Sequence, residues 1–334
     1  MNFTSVGDLA QTLVQSRSGG EVKARIGRLT NELSSGIAQD VPRHLSGNLD
    51  QLAHLERRLG VTGRYRTAAA LALSDMSVMQ SSLDRVQSLG QELAGRAAAI
   101  STMQNPPTVA VLGDQARGAL SEVVAAMNAQ NAGRALFAGA DVDGQVLAPS
   151  EDILALARAA VSGATTAADV RAELDSFFAA GGTFETDVFR GTSAGDLTYK
   201  LDAGETITAA TRADDAVIRD VLANMMSVAL ADDPALTLDD AQRRDLASGA
   251  GTALMGADTE LAEIRGGLGT AEAQAERSAA RLEAEATSLR TARQELVGID
   301  RFATASELEA AQGQLETIFT VAARSASLSL VNFL

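Results

Sequence analysis

Residues 254–299 read LMGADTELAEIRGGLGTAEAQAERSAARLEAEATSLRTARQELVGI. Within them Leu254, Ala257, Leu261, Ile264, Leu268, Ala271, Ala275, Ser278, Leu282, Glu285, Leu289, Ala292, Leu296 and Ile299 recur at steps of three and four. Only Ser278 and Glu285 break the apolar run, and no proline interrupts it. Such spacing is a heptad seam. As one helix it would extend ~68 Å at 1.5 Å per residue. A helix cannot bury a seam of that length alone, so the stretch predicts a second helix of comparable length.

The partner lies far upstream. A comb opens with Leu49, Leu52, Leu55 and Leu59, meets Gly60 and Gly63, and resumes in shifted phase. From there Tyr65, Ala69, Ala72, Met76, Met79, Leu83, Val86, Gly90, Leu93, Ala97 and Ile100 again step by three and four. The phase change reads as a stutter, which alters supercoiling without ending a helix; Asn105-Pro106-Pro107 ends it. The rod seam is therefore expected to join Met76, Met79, Leu83, Val86 and Leu93 to Leu261, Ile264, Leu268, Leu282, Leu289 and Leu296.

Outside this pair lie two shorter amphipathic stretches. One runs through Val22, Ile26, Leu29 and Leu33 and closes at Gly36, where a left-handed cap would stand. The other follows a break near Ser306 and runs through Leu308, Ala311, Leu315, Ile318 and Ala322. Upstream of Glu21, Gly19-Gly20 interrupts the spacing of Phe3, Val6, Leu9 and Leu13, so a helix and a frayed terminus are equally good readings.

Between the heptad helices the pattern changes. A third helix is expected over Thr108–Phe137, antiparallel to the second across the proline turn. Short helices are expected at Glu151–Val161 and Thr166–Ala180, and another at Ala213–Leu230. The next is expected to start from a capping box of Thr237 and Asp240. Gly181–Arg212 is the one β region expected, a hairpin in which Leu197, Tyr199 and Leu201 alternate with polar neighbours and Asp202-Ala203-Gly204-Glu205 makes the turn. The fold class is thus mainly α: a long antiparallel coiled-coil, helical-bundle rod built from both chain ends, with a small α+β insertion. Its domains divide as 1–45 with 300–334, 46–138 with 237–299, and 139–236.

Composition narrows function. The 334 residues carry a net charge of −15, which excludes the basic stripe that nucleic acid requires. Aromatics are 3% and tryptophan is absent, a poor basis for an aromatic-lined pocket. There is no cysteine, hence no disulfide, thiolate metal site or cysteine nucleophile. No apolar run is long enough to insert in a membrane, and no basic-then-apolar leader opens the chain. Of 28 basic residues only Lys23 and Lys200 are lysine, an arginine bias that reflects a GC-rich genome as much as physics.

No catalytic constellation emerges, and no cofactor or metal is expected. His44 and His54 are isolated, read as surface or packing residues. Gly249-x-Gly251 lacks a third glycine and a preceding strand. Asp141-Val142-Asp143-Gly144 imitates part of a calcium loop but lacks its terminal glutamate, and reads as a turn. Asp214-Asp215, Asp232-Asp233 and Asp239-Asp240 suit helix N-termini. Glu272, Glu276, Arg277 and Arg281 read as a solvated flank.

Four stretches carry a resemblance to a known family. Leu29-Thr-Asn-Glu-Leu33-Ser34-Ser35-Gly36 is similar to a helix end in the flagellin superfamily. Asn131-Ala-Gly133-Arg134-Ala-Leu136-Phe137-Ala-Gly139 resembles that superfamily's Gly-Arg-Tyr-Leu-Phe-Ala/Ser-Gly segment. Ile299-Asp300 with Ala305-Ser306-Glu307-Leu308 resembles its Val-Asp-Tyr-Ala…Ser-Glu-Leu, and Leu328-Ser329-Leu330-Val331-Asn332-Phe333-Leu334 is similar to the ending of its hook–filament junction branch. The chain departs at Ile37, where a basic residue is usual, at Asp40-Val41-Pro42, where Asp-Asp-Pro is usual, and at Phe3-Thr4-Ser5. The resemblance implies an extracellular structural subunit of the bacterial flagellum, joining hook to filament and exported by the flagellar type III apparatus without a cleaved signal. Implied partners are its own copies in a ring, the adjacent hook-associated protein, flagellin, and an export chaperone at the C-terminal helix. The implied assembly interface is Val22, Ile26, Leu29, Leu33, Leu308, Leu315, Ile318, Leu328, Leu330, Phe333 and Leu334, on segments that order on assembly. A filament subunit is the alternative reading, and a non-flagellar coiled-coil scaffold a more distant one.

Overall fold

The computed structural model describes residues 6–100, 109–141 and 143–331, with side chains from residue 13 to residue 324. The chain forms two compact units, one of Met1–Gly63 with Ala284–Leu334 and one of Arg64–Glu283. Helices α3 (Asp50–Ala99) and α8 (Asp240–Val297) each contribute a segment to both. Gly60 and Gly63 lie inside α3 without ending it, as the stutter implied.

In the first unit α1 (Val6–Ser35) pairs with α9 (Arg301–Val331). Of the two readings upstream of Glu21 the structure takes the helix, which runs through Gly19-Gly20 without a break. Two glycines cost ~1 kcal/mol each in a helix interior, and packing against α9 outweighs that. The helix ends where Gly36 adopts φ 71° and donates to Glu32 O at 2.7 Å. A single turn, α2 (Val41–His44), follows with Asp40 as its cap. The break assigned to Ser306 instead falls between α8 and α9: Asp300 accepts the backbone N–H groups of Phe302 and Ala303 at 2.9 and 3.1 Å, and Ser306 is helical. In the same unit Arg58 and Arg293 bond Glu285 and Glu56, joining the start of α3 to the end of α8.

In the second unit the remainders of α3 and α8 run antiparallel. Gln87 and Gln91 donate to Asp258 at 2.7 and 2.8 Å, Arg265 pairs with Asp84 at 2.9 Å, and Gln80 donates to Arg265 O at 3.0 Å. A Cβ at Gly251 would stand 2.5 Å from Ala98 N and 2.7 Å from Ala97 Cβ, so this glycine admits close approach of the helices. The start of α8 is capped differently from the expected Thr237–Asp240 box. Asp239 accepts from Gln242 N at 2.8 Å while Gln242 Oε1 accepts from Asp239 N at 3.1 Å. Asp carries the shorter reach and Gln the longer, and the box forms two residues later.

The third helix, α4 (Val109–Met127), stops ten residues short of Phe137. Ala132 and Gly133, at φ 49° and 80°, turn the chain into a tight hairpin of β1 (Gln130–Asn131) and β2 (Arg134–Ala135). This is a second β element, outside the region expected to hold the only one. Helices α5 (Ser150–Ala160) and α6 (Ala167–Phe178) follow, the latter with a complete Thr166–Asp169 capping box. A π-helical turn at Phe184–Val188 comes next. Strands β3 (Leu197–Lys200) and β4 (Thr206–Ala209) pair antiparallel, Tyr199 opposite Ile207, with Leu197, Tyr199, Ile207 and Ala209 buried on one face. Helix α7 (Ala216–Leu230) packs on α4 and α6 and is buried over most of its surface. Phe177, Phe178 and Phe184 form a ring cluster with centroids 4.9 and 5.2 Å apart. The few aromatics are concentrated in this compact region.

Candidate assembly surface

Helix α1 offers Val22, Ile26 and Leu29 at steps of four and three, and α9 answers with Leu308, Ala311, Leu315 and Ile318. Val22, Leu29 and Ala311 are buried and the others pack on them as one cluster. Arg25 donates to Glu307 at 3.1 Å, and Lys23 Nζ lies 5.2 Å from the Phe319 ring centroid. Six of the residues assigned to subunit contact thus face one another within the chain. Leu33 is half-buried and outside that cluster. Leu328 and Leu330 fall in α9 with side chains outside the described residues, and Phe333 and Leu334 lie outside them altogether.

What α1 and α9 turn outward is a different set. Phe302 is 86% exposed, Leu13 65% and Phe319 53%, with Val14 and Val321 also exposed. Phe302 and Phe319 were missed because they lie off the comb that identified Leu308, Leu315 and Ile318. That offset was itself the signal: an aromatic beside an apolar seam, and not in it, is left at least half exposed, Phe302 free of the α1–α9 cluster and Phe319 at its edge beside Lys23.

Where the chain leaves and returns to this helix pair, its two connecting segments are bonded to each other. Ala38 N donates to Val297 O at 3.0 Å and Ile299 N to Gly36 O at 3.2 Å. Beside this tie is a cleft of about 300 Å³ with Arg28, Glu32, Arg43, His44, Asp300 and Glu307 among its lining. Among the described residues no group of His, Asp or Glu is placed to hold a metal ion.

Of the seam residues, Met76, Met79, Leu83, Val86, Leu93, Leu261, Leu268, Leu282 and Leu289 are buried; Ile264 and Leu296 are half-buried. Beyond Leu282 the buried line passes through Ala286, not Glu285, and Val297 is more deeply buried than Leu296. Ser278, the polar residue inside the comb, is buried with its Oγ donating to Glu205 Oε1 at 2.5 Å. Arg281, expected to be a solvated flank, bonds Asp202 at 3.0 Å and Glu205 at 2.6 Å. Together they clamp the β3–β4 turn onto α8. These bonds hold both carboxyls below the usual carboxylate range, at Glu205 chiefly through Ser278 and at Asp202 chiefly through Ala203 N.

At its base the same hairpin is fastened to α3. Fully buried Asp75 accepts from Tyr199 OH at 2.6 Å, Asn131 Nδ2 at 2.6 Å and Arg134 Nη1 at 3.1 Å. Burial, and then the Asp75 carboxylate, push the Tyr199 phenol well above its ordinary range. Asn131 and Arg134 belong to the Asn131–Gly139 stretch singled out above, so that motif works here by satisfying a buried charge.

Residues 252–334 match the family described as the bacterial flagellin C-terminal helical region. Over these residues the chain is similar to the C-terminal helical region of bacterial flagellins. The flagellin region takes in most of α8 and all of α9, including the outward Phe302 and Phe319. No curated protein matches the sequence. Among solved structures, one described as a flagellar hook-associated protein from Vibrio parahaemolyticus aligns over 71% of this chain and 95% of its own, at 14% identity and a TM-score of 0.41. Bacillus cereus FlgL aligns over 74% and 98%, also at 14% and 0.41. Among the described residues no helix is long and apolar enough to cross a membrane.

Proposed function

We propose that this chain is a structural subunit of the bacterial flagellum that joins the hook to the filament, without catalysis. The observation that carries the reading is the flagellin C-terminal helical region over residues 252–334, whose last helix pairs with α1 and still turns Phe302 and Phe319 outward. The resemblance of the Leu328-Ser329-Leu330-Val331-Asn332-Phe333-Leu334 stretch favours the junction branch over a filament subunit. In this reading the subunit is exported by the flagellar type III apparatus and acts outside the cell. There it meets copies of itself in a ring, with the adjacent hook-associated protein on one side and flagellin on the other. Val22, Ile26, Leu29, Leu33, Leu308, Leu315 and Ile318 shape the helix pair that enters the assembly, and the segment ending in Leu328, Leu330, Phe333 and Leu334 contacts neighbours or, before export, a chaperone.

Deleting the gene tests this. A junction subunit predicts cells that shed flagellin into the medium and carry bare hooks by electron microscopy. Filaments of normal length in the deletion strain would rule the junction role out. Gold labelling along whole filaments would favour the filament-subunit reading.

A further inference from the structure

We infer that copies of this chain dock head to tail, with Phe302 of one copy seated in a groove formed by Gly19, Gly20, Lys23 and Phe319 of the next. The inference rests on the proposed self-association and assigns its contact. Among the described phenylalanines, those of the second unit are buried, while Phe302 and Phe319 stand exposed on α9. An 86% exposed aromatic is costly to leave in water, and nothing within the α1–α9 cluster covers it.

The same helix pair carries an empty receptacle. A groove of about 390 Å³ runs between α1 and α9, floored by Ile318 and walled by Phe319 and Ala322. A Cβ at Gly20 would meet nothing within 4 Å, and one at Gly19 only Ile318 Cγ2 at 3.9 Å. Two adjacent glycines weaken a helix interior, and here they leave open the space that larger side chains would occupy.

The occupant is set by charge and by position. Phe302 follows Asp300 and lies two turns before exposed Glu309 on the same helix face; the groove presents Lys23, one of only two lysines in the chain. Exposed Arg301 offsets Asp300, so the pairing that sets the occupant is Glu309 on the Phe302 face against Lys23 at the groove. Phe302 and Phe319 are separated by seventeen residues of α9, ~26 Å at helical rise. Projection and receptacle stand at different places on one subunit, so copies docked in the same direction make a heterologous contact that propagates into a ring or helical array. A reciprocal antiparallel pair would instead stop at a two-fold dimer and give no ladder from the double variant.

The absence of cysteine permits a direct test in the full chain. Single variants Phe302→Cys and Gly20→Cys are mixed, oxidised and resolved without reductant, at concentrations where light scattering shows that unmodified protein associates. The expected result is a disulfide heterodimer in the mixture, more abundant than either homodimer, and a ladder of oligomers from the double variant. Phe302→Ser, at a position where loss of folding is not expected, lowers the association constant at least tenfold, and Lys23→Glu weakens association with partial recovery on adding Glu309→Lys. Association of the parent protein with no heterodimer, or with only Phe302→Cys homodimers, overturns this contact and leaves the junction role intact. A deletion strain with normal filaments removes the junction role whatever the crosslinks show.

Discussion

Arginine in this chain does work that lysine could not. Arg243 donates to four backbone carbonyls, those of Leu238, Ala231, Asp233 and Leu236, at 2.8 to 3.2 Å. Arg219 reaches Phe178 O at the end of α6, and Arg117 reaches Ala229 O near the end of α7. A planar fork with five donors satisfies several helix-end acceptors at once, so base composition is not the whole account of the bias. Arg243→Lys is expected to cost about 1–3 kcal/mol by leaving buried acceptors unpaired, read as a lowered urea midpoint with unchanged slope. Tyr199→Phe, which strips a donor from buried Asp75, should cost a similar ~1–3 kcal/mol. Titration follows the same residues. Asp202 and Glu205 have lowered pKa values, so their contribution is present above the unfolded carboxylate range and lost as pH falls through the folded values. Asp215 is opposite: burial raises it, with Asp214 and Asp196 adding to the effect, so its contribution is present at low pH and lost as pH rises through its folded pKa. Asp215→Asn, which keeps an acceptor for Arg212 N, is therefore expected to flatten that part of the stability profile between pH 3 and 7, measured by thermal melts.

At the scale of elements, the sequence was most informative where one periodicity ran long. The comb from Leu254 to Ile299 and its upstream partner gave α3 and α8, because a seven-residue pattern repeated many times outweighs isolated glycines. Short elements were harder. Asn128 to Ala135 is polar apart from Gly133 and the alanines Ala129, Ala132 and Ala135, whose steps of three can be read as a continuation of α4. Yet Ala132 and Gly133 turn the chain back, and a positive φ at alanine leaves no trace in composition. The Asp239–Gln242 box was overlooked because Thr237–Asp240 offers the same spacing two residues earlier. The outward Phe302 and Phe319 were legible only once the inward comb was known. Substitutions at two positions test the pairing of α3 with α8. Leu282→Asp places an unpaired charge in a buried seam and should cost several kcal/mol, seen as lost cooperativity in a helical circular-dichroism melt; Leu282→Met should cost under ~1.5 kcal/mol. Gly251→Ala drives a methyl into Ala97 and Ala98 and should cost about 1–3 kcal/mol.

On the scale of the whole molecule, the two units differ in how much they bury. The α1–α9 pair rests on Val22, Leu29 and Ala311 with four half-buried neighbours, whereas the core of the second unit includes Met76, Met79, Leu83, Phe137 and Phe184 with no exposed surface. Opening free energy follows buried apolar contact. Hydrogen exchange by mass spectrometry should accordingly find amides of residues 13–35 and 301–324 exchanging before those of 76–97. Equal protection in both would contradict this ranking.

The bond between Ala38 and Val297 has a further consequence. Everything from residue 38 to residue 297 leaves and re-enters the chain through adjacent points, like a cassette held in a two-pin socket. Material can be lengthened, shortened or exchanged inside that socket without asking the outer helices to rearrange. A foreign segment with neighbouring termini, exchanged inside that socket, is expected to leave the Ala38–Val297 and Ile299–Gly36 bonds in place.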